Sequence, residues 1–307
     1  MMFSFTDILN KDRALVMGIL NVTPDSFSDG GEFFSSDAAL RHAQAMCRDG
    51  ADIIDIGCCS TAPGSSAVSL EEELARLKLV FPLIPKNVGI PVSVDTSRPE
   101  AARFALENGA VIVNDESGVF NPEMAALVKE YGAGWVFMHT GVKDSQGAKG
   151  YLDRVAAGVA SFFAVTSPHG QAAASQIEQD YPEGAAADAL DFFYRMRKQA
   201  LKSGIDEKQL CYDYGIGFGK SRSDDALLLK STALFSDYKP LLVGVSRKRI
   251  IGQASGVKEP EQRDYGSAAA EGIAAFLGAD IIRAHNIRAA ADSVRVAAVV
   301  KKGEMNG

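Results

Sequence analysis

The sequence predicts an α/β fold, a parallel (β/α)8 barrel of the TIM type, built as a single domain over residues 1–307. Three observations predict it. Eight short apolar runs alternate with amphipathic helical stretches, the pattern of a parallel sheet covered by helices. Eight repeats suit a closed barrel better than an open sheet. Several helices are closed by a glycine just before the next strand, as in DGADII, NGAVIV, YGAGWV and LGADII, where a left-handed residue ends the helix.

In chain order, the strands are expected at 14–20 (ALVMGIL), 52–56 (DIIDI), 91–95 (PVSVD), 111–114 (VIVN), 134–138 (GWVFM), 209–213 (QLCYD), 241–245 (LLVGV) and 280–283 (DIIR). Helical periodicity falls near 37–49, 70–80, 98–108, 122–131, 186–203, 224–235, 264–277 and 288–301. Ser69, with Glu72 three residues later, reads as a capping box, and Ser97 before Pro99 as a second helix start. Gly50, Gly109, Gly132, Gly204 and Gly278 are the expected helix ends. Residues 141–185, rich in Ala, Gly, Ser and Gln, break the rhythm between strand 5 and helix 5 and are expected to be an insert, a lid or a mobile segment. Within it, 151–164 suits an extra helix.

Composition narrows the function classes. A net charge of -7 argues against a nucleic-acid binder, yet leaves room for a local basic pocket. Asp7, Lys11, Asp12 and Arg13 interrupt the N-terminal apolar run, which makes it a poor signal peptide. No stretch approaches the roughly 18 apolar residues of a membrane helix. Cys47, Cys58, Cys59 and Cys211 form no CxxC pair and read as free thiols in a reducing cytoplasm rather than a zinc site.

The strand ends carry the functional signal. Asn21 follows strand 1 and Gly57–Gly64 follow strand 2. Asp95 ends strand 3, Asn114 and Asp115 end strand 4, and His139 follows strand 5. Asp213 ends strand 6, Ser246, Arg247 and Lys248 follow strand 7, and Arg283 and His285 end strand 8. In such a barrel all eight ends meet on one face, where active sites sit. Lys248, Arg283 and Arg247, helped by His285 and Asn21, are candidates for binding an anion such as phosphate. Asp95, Asn114, Asp115 and Asp213 suit a polar heterocycle with several N–H donors. The same carboxylates lack a spacing that defines a metal cage. GIGFGKS (215–221) fails the phosphate-loop spacing, since Tyr214 stands where the first glycine belongs; it reads as a tight turn that lets Phe218 face the site.

At these residues the chain resembles the dihydropteroate synthase family. MGILNVTPDSFSDGG (17–31), DIIDIGCCSTAPG (52–64), PVSVDTSRPEAA, VIVNDESG, VFMHTG, CYDYGIGFGK, LLVGVSRKRIIG and DIIRAHNI follow in family order over roughly 14–300, the insert excepted. The resemblance implies a pterin-binding barrel that joins 6-hydroxymethyl-7,8-dihydropterin pyrophosphate to p-aminobenzoate in folate biosynthesis. It implies that Asp95, Asn114, Asp213 and Lys248 hold the pterin, with Asp115, Met138 and Phe218 lining it. Lys248, Asp95 and Asp213 are the implied catalytic groups. Asn21, Arg283 and His285 would hold the pyrophosphate, with Mg2+ near Asn21. Asp25, Phe27 and Asp29 of a first loop and Ser60, Thr61 and Pro63 of a second would close over the site. Phe27 and Pro63 would shape the p-aminobenzoate pocket beside Lys248 and Arg249. A homodimer is the family's usual assembly.

The chain departs from the family pattern at Cys58 and Cys59, where glycine and glutamate are usual, at Ala62 in place of arginine, and at Tyr214 in place of proline. The second loop therefore differs while the pterin floor is complete. Two other readings share these residues. One is a pterin-binding homologue with weak or no synthase activity. The other is a methyltetrahydrofolate-dependent methyltransferase, against which the full NVTPDSFSDGG and VSRK motifs argue.

Overall fold

The computed structural model describes residues 2–9, 12–22, 36–59, 68–141 and 184–303. Eight parallel strands close in sequence order, and β8 returns to pair with β1. They are β1 (Leu15–Asn21), β2 (Ile53–Gly57), β3 (Val92–Asp95), β4 (Ile112–Asp115), β5 (Gly134–Met138), β6 (Leu210–Asp213), β7 (Leu241–Val243) and β8 (Ile281–Ala284). The described helices are α1 (Phe5–Ile8), α2 (Ser36–Asp49), α3 (Leu70–Val80), α4 (Ile84–Asn87), α5 (Pro99–Glu107), α6 (Pro122–Tyr131), α7 (Ala185–Lys202), α8 (Arg222–Lys230), α9 (Arg249–Ser255), α10 (Asp264–Leu277) and α11 (Ile287–Lys302). The barrel expected from the strand count is therefore observed. The expected insert, its ends apart, lies outside the described residues.

Local chemistry explains most boundaries. Ser69 accepts from the Glu72 N–H, Asn121 from Glu123 and Met124, and Asn286 from Ala289. Ser221 and Asp224 form a reciprocal capping box. All five glycines expected to end helices have positive φ, between 60° and 114°. Three expectations are corrected. Arg98, not Ser97, occupies the N-cap of α5, because Pro99 takes the first helical position. The chain leaves β7 after Val243, two residues early, to build the turn that carries Lys248. The helix expected at 224–235 ends at Lys230 and continues as a separate 3-10 turn over Thr232–Phe235.

Alternation along the strands sorts the core into two shells. Val16, Ile54, Val94, Val113, Trp135, Tyr212 and Val243 face outward and pack under the helices. Leu15, Met17, Ile53, Ile112, Val136, Cys211, Leu242 and Ile281 face inward and fill the lower barrel with Phe5. The N-terminal segment is the plug: Phe3 N–H donates to the Gly132 carbonyl at 2.7 Å. A Cβ on Gly134 would stand 2.8 Å from both Phe3 and Phe5, so the plug requires glycine there. Each of these large apolar side chains contributes roughly 1.5–3 kcal/mol by leaving water.

Candidate active site

Above the apolar layer the inward positions turn polar. Asn21, Gly57, Asp95 and Asn114 are neighbours in one row of the register across β1 to β4. Asp55 lies one inward step below Gly57. Arg283 projects from β8 into this row. Its Nε donates to Asp55 Oδ2 at 2.7 Å and its Nη2 to Asp95 Oδ2 at 2.6 Å, while Glu116 Oε1 stands 3.7 Å from Nη1. Asn114 Nδ2 also donates to Asp55 Oδ2, at 3.0 Å. Asp213 is buried at the end of β6, and its Oδ1 accepts the Gly215 N–H at 2.7 Å. Met138 ends β5 on the same inner face as Val136.

The turn after β7 brings Lys248 over this floor. Its Nζ donates to the Ile216 carbonyl at 2.6 Å and lies 4.6 Å from the Phe218 ring centroid. Phe218 therefore faces the site, as the glycine run predicts. Gly215, Gly217 and Gly219 all have positive φ, and a Cβ on Gly215 would meet the His139 carbonyl at 2.1 Å. Two buried groups hold this loop. Lys220 Nζ donates to the carbonyls of His139, Gly215 and Phe218, and Asp225 accepts the Gly217 N–H at 2.6 Å. Tyr214, at the family's proline position, is buried behind the loop with its hydroxyl 3.0 Å from Thr232 Oγ1.

Burial governs the electrostatics. Desolvation raises the Asp95 carboxyl above its usual range, Glu116 raises it further, and Arg283 opposes both. Burial likewise raises Asp213, against the pull of Lys248. The Lys248 ammonium is lowered by desolvation, with Asp213 opposing. Desolvation, aided by Arg247 and Arg283, lowers His285 to about 4, so the imidazole is neutral at physiological pH. The arrangement thus offers carboxylates and amides to N–H donors, beside two buried cations. These are the elements needed to hold a polar ring and stabilise charge that separates from it.

Not every expected residue joins this cluster. Asp115 faces the outer side of β4, where it accepts from Trp135 Nε1 at 3.3 Å and from the Ser117 N–H. One residue from Asn114, it falls on the opposite face by alternation, and it does not line the mouth. Arg247 turns away as well: it grips Asp264 through Nε at 2.7 Å and Nη2 at 3.0 Å. Asn21 ends β1 with its side chain exposed, and Arg249 opens α9, also exposed. His139 is buried, lies beside Phe192 on α7 and has no partner for Nδ1. Asp25, Phe27 and Asp29 of the first loop, and Ser60, Thr61, Ala62 and Pro63 of the second, lie outside the described residues. The root of the second loop is described. Arg76 donates to the Cys58 carbonyl at 2.6 Å, and Glu73 binds Thr96, Arg98 and the Cys59 thiol.

Sequence reading missed Asp55, Glu116, Lys220 and Asp225. Asp55 had a usable signal, since a carboxylate inside an apolar strand and two residues before its end falls on the inner face. The other three sit on turns or helices, where no periodicity aims a side chain.

The comparisons agree with this geometry. The sequence profile of the family described as "Pterin binding enzyme" matches residues 17–285. The dihydropteroate synthase of Bacillus subtilis (strain 168) is 36% identical over 296 residues, which cover 95% of this chain and 91% of that protein. A structure of Xanthomonas albilineans dihydropteroate synthase with 4-aminobenzoic acid superposes with a TM-score of 0.76 at 35% identity, covering 94% of each chain. Another structure of that enzyme, in complex with 7,8-dihydropteroate, gives 0.71 at 34% identity with the same coverage. The barrel, its polar mouth and these relatives place the chain in the pterin-binding enzyme family, among the dihydropteroate synthases.

Proposed function

We propose that the chain condenses 6-hydroxymethyl-7,8-dihydropterin pyrophosphate with p-aminobenzoate to give 7,8-dihydropteroate and pyrophosphate, in the cytoplasm, as a step of folate biosynthesis. The observation that carries the reading is the floor of Asp95, Asn114 and Asp213 set beside Lys248 and Arg283, in a chain so similar to dihydropteroate synthases. In this reading Asp95, Asn114 and Asp213 accept from and donate to the pterin edge. Met138, Phe218 and the Lys248 stem cover its faces. Arg283 Nη1, His285 and Asn21 bind the pyrophosphate.

The bond between the pterin methylene carbon and the pyrophosphate oxygen breaks, and the electron pair leaves with pyrophosphate. The arylamine nitrogen then bonds to that carbon and gives up a proton. Lys248 and Arg283 favour the departing anion, while the carboxylates favour the cationic pterin. The first and second loops and Arg249 form the p-aminobenzoate side.

Mg2+ belongs to the same proposal. Among the described residues no group of three His, Cys, Asp or Glu side chains is arranged to hold a metal, and Asn21 offers one amide oxygen at the exposed end of β1. That donor set fits a hard cation whose other ligands are diphosphate oxygens and water. Bound there, Mg2+ would neutralise charge on the leaving group.

Pyrophosphate release by the purified protein tests the reading. Release that requires both substrates is the expected result; pterin binding without release would instead favour a homologue without synthase activity. A homodimer completes the proposal. Tyr265, Ile273 and Phe276 of α10 and Val296, Val299 and Val300 of α11 form an exposed apolar face. Light scattering should report a dimer that Ile273→Glu weakens.

A further inference from the structure

Glu116 follows β4 at the rim of the mouth, and its side chain is 9% exposed. Its Oε1 is 3.7 Å from Arg283 Nη1, too far for a hydrogen bond. Its Oε2 is buried and has no hydrogen-bond partner. Arg283 has already committed Nε and Nη2 to Asp55 and Asp95. Glu116 is thus the third carboxylate around one guanidinium. Its charge also reaches Asp213 and Lys248 and pushes the Asp95 and Asp213 carboxyls upward.

Folding has little to gain from such a group. A desolvated carboxylate oxygen without a donor is unfavourable, and repulsion from neighbouring acids adds to that. Asp55 also has one unpartnered oxygen, Oδ1, but its Oδ2 takes two donors and it lies a layer deeper. Glu116 has neither anchor. An acceptor left open at a ligand mouth is satisfied by a donor on the ligand.

We propose that Glu116 is a specificity-determining residue that selects the reduced pterin ring, its Oε2 accepting a hydrogen bond from a ring N–H that the oxidised ring lacks. The inference rests on the pterin reading above. The 7,8-dihydro ring carries N8–H, a donor. In the fully oxidised ring N8 is a lone-pair acceptor, and a carboxylate facing it meets repulsion instead of a bond. Asp95, Asn114 and Asp213 recognise the pterin edge in either state. Glu116 adds discrimination between the two states.

The test is calorimetric. Wild type, Glu116→Gln and Glu116→Leu are each titrated with 6-hydroxymethyl-7,8-dihydropterin pyrophosphate and with its oxidised counterpart. Wild type should prefer the reduced ring by about tenfold or more, the value of a hydrogen bond to a charged group. Leucine should bring the two affinities together, mainly by weakening the reduced ring. Glutamine, which keeps an acceptor oxygen and the volume, should retain part of the preference. The KM for p-aminobenzoate should stay within about twofold and the melting temperature should not fall, since the lost carboxylate had no partner. A merely structural Glu116 would lower the melting temperature and leave the affinity ratio alone. A wild type without preference, or variants that keep the full ratio, overturn the inference even if pyrophosphate release confirms the synthase reading. A wild type that binds neither ring overturns both.

Discussion

The two ends of the barrel interior are built from the same eight strands and do opposite work. The lower end is Phe5, Met17, Ile53, Ile112, Val136, Leu242 and their neighbours, sealed by the N-terminal plug. The upper end is Asp55, Asp95, Asn114, Asp213 and Arg283, partly open. Two acids on one strand run show the division. Asp52, at the lower edge, is gripped by Arg13 through both oxygens and by the Val16 N–H. Asp55, three residues on, bonds Arg283 and Asn114 and keeps one oxygen free. At the base, polar groups are fully matched and serve the fold. At the mouth they are left under-matched, and the mismatch is available to a ligand.

The largest test of this contrast is Arg283→Met at pH 8. Removing the one guanidinium leaves Asp55, Asp95 and Glu116 buried together without compensation. A loss of about 3–5 kcal/mol is expected by urea unfolding, with synthase turnover lost. A loss below about 1 kcal/mol would show that the mouth is not held by charge pairing. Phe5→Ala opens the plug and should cost about 3–5 kcal/mol, through lost burial and a cavity, while KM values stay unchanged. A large rise in either KM would mean that the two ends are coupled.

Asn114→Ala should reverse that signature. Pterin affinity should fall by about 1–3 kcal/mol in calorimetry with little change in unfolding. Unchanged affinity would remove Asn114 from the floor. The smallest effect concerns pH, because the lower layer carries no group that titrates near neutrality. Burial lifts Glu271 on α10, which meets the Ser246 hydroxyl behind the Lys248 turn, to about 7, from an ordinary 4.5. Its stability contribution is therefore full below pH 4.5 and is lost as pH rises towards 7. His285, depressed to about 4 from 6.5, acts in the opposite sense: its contribution is full above 6.5 and lost as pH falls through 4. Wild type minus Glu271→Gln stability should thus be more favourable at pH 5 than at pH 7.5 by roughly 1–2 kcal/mol. No pH dependence in the difference would mean that Glu271 is ionised throughout.

Much of this was legible in the residues. Apolar runs, their number and the glycine rhythm determined the barrel, and β-strand boundaries fell within one or two residues of expectation because period-2 burial and helix-ending glycines are local properties. The polar strand ends pointed to the mouth, and Asp95, Asn114, Asp213, Lys248 and Arg283 do gather there. The sequence could not decide facing. Asp115 and Asn114 are adjacent and both polar, yet the pleat sends one to Trp135 and the other to Asp55. Nor could it decide pairing. Three cations near the strand ends looked equivalent, but Arg247 is spent on Asp264, 17 residues away, while Arg283 meets Asp55 across 228 residues. Local propensity depends on near neighbours and can be read along the chain. Which charges neutralise one another depends on barrel closure, which brings β8 beside β1 and aims β2, β3 and β8 at a common axis. Only that closure surrounds Arg283 with three acids and leaves Glu116 with an oxygen to offer.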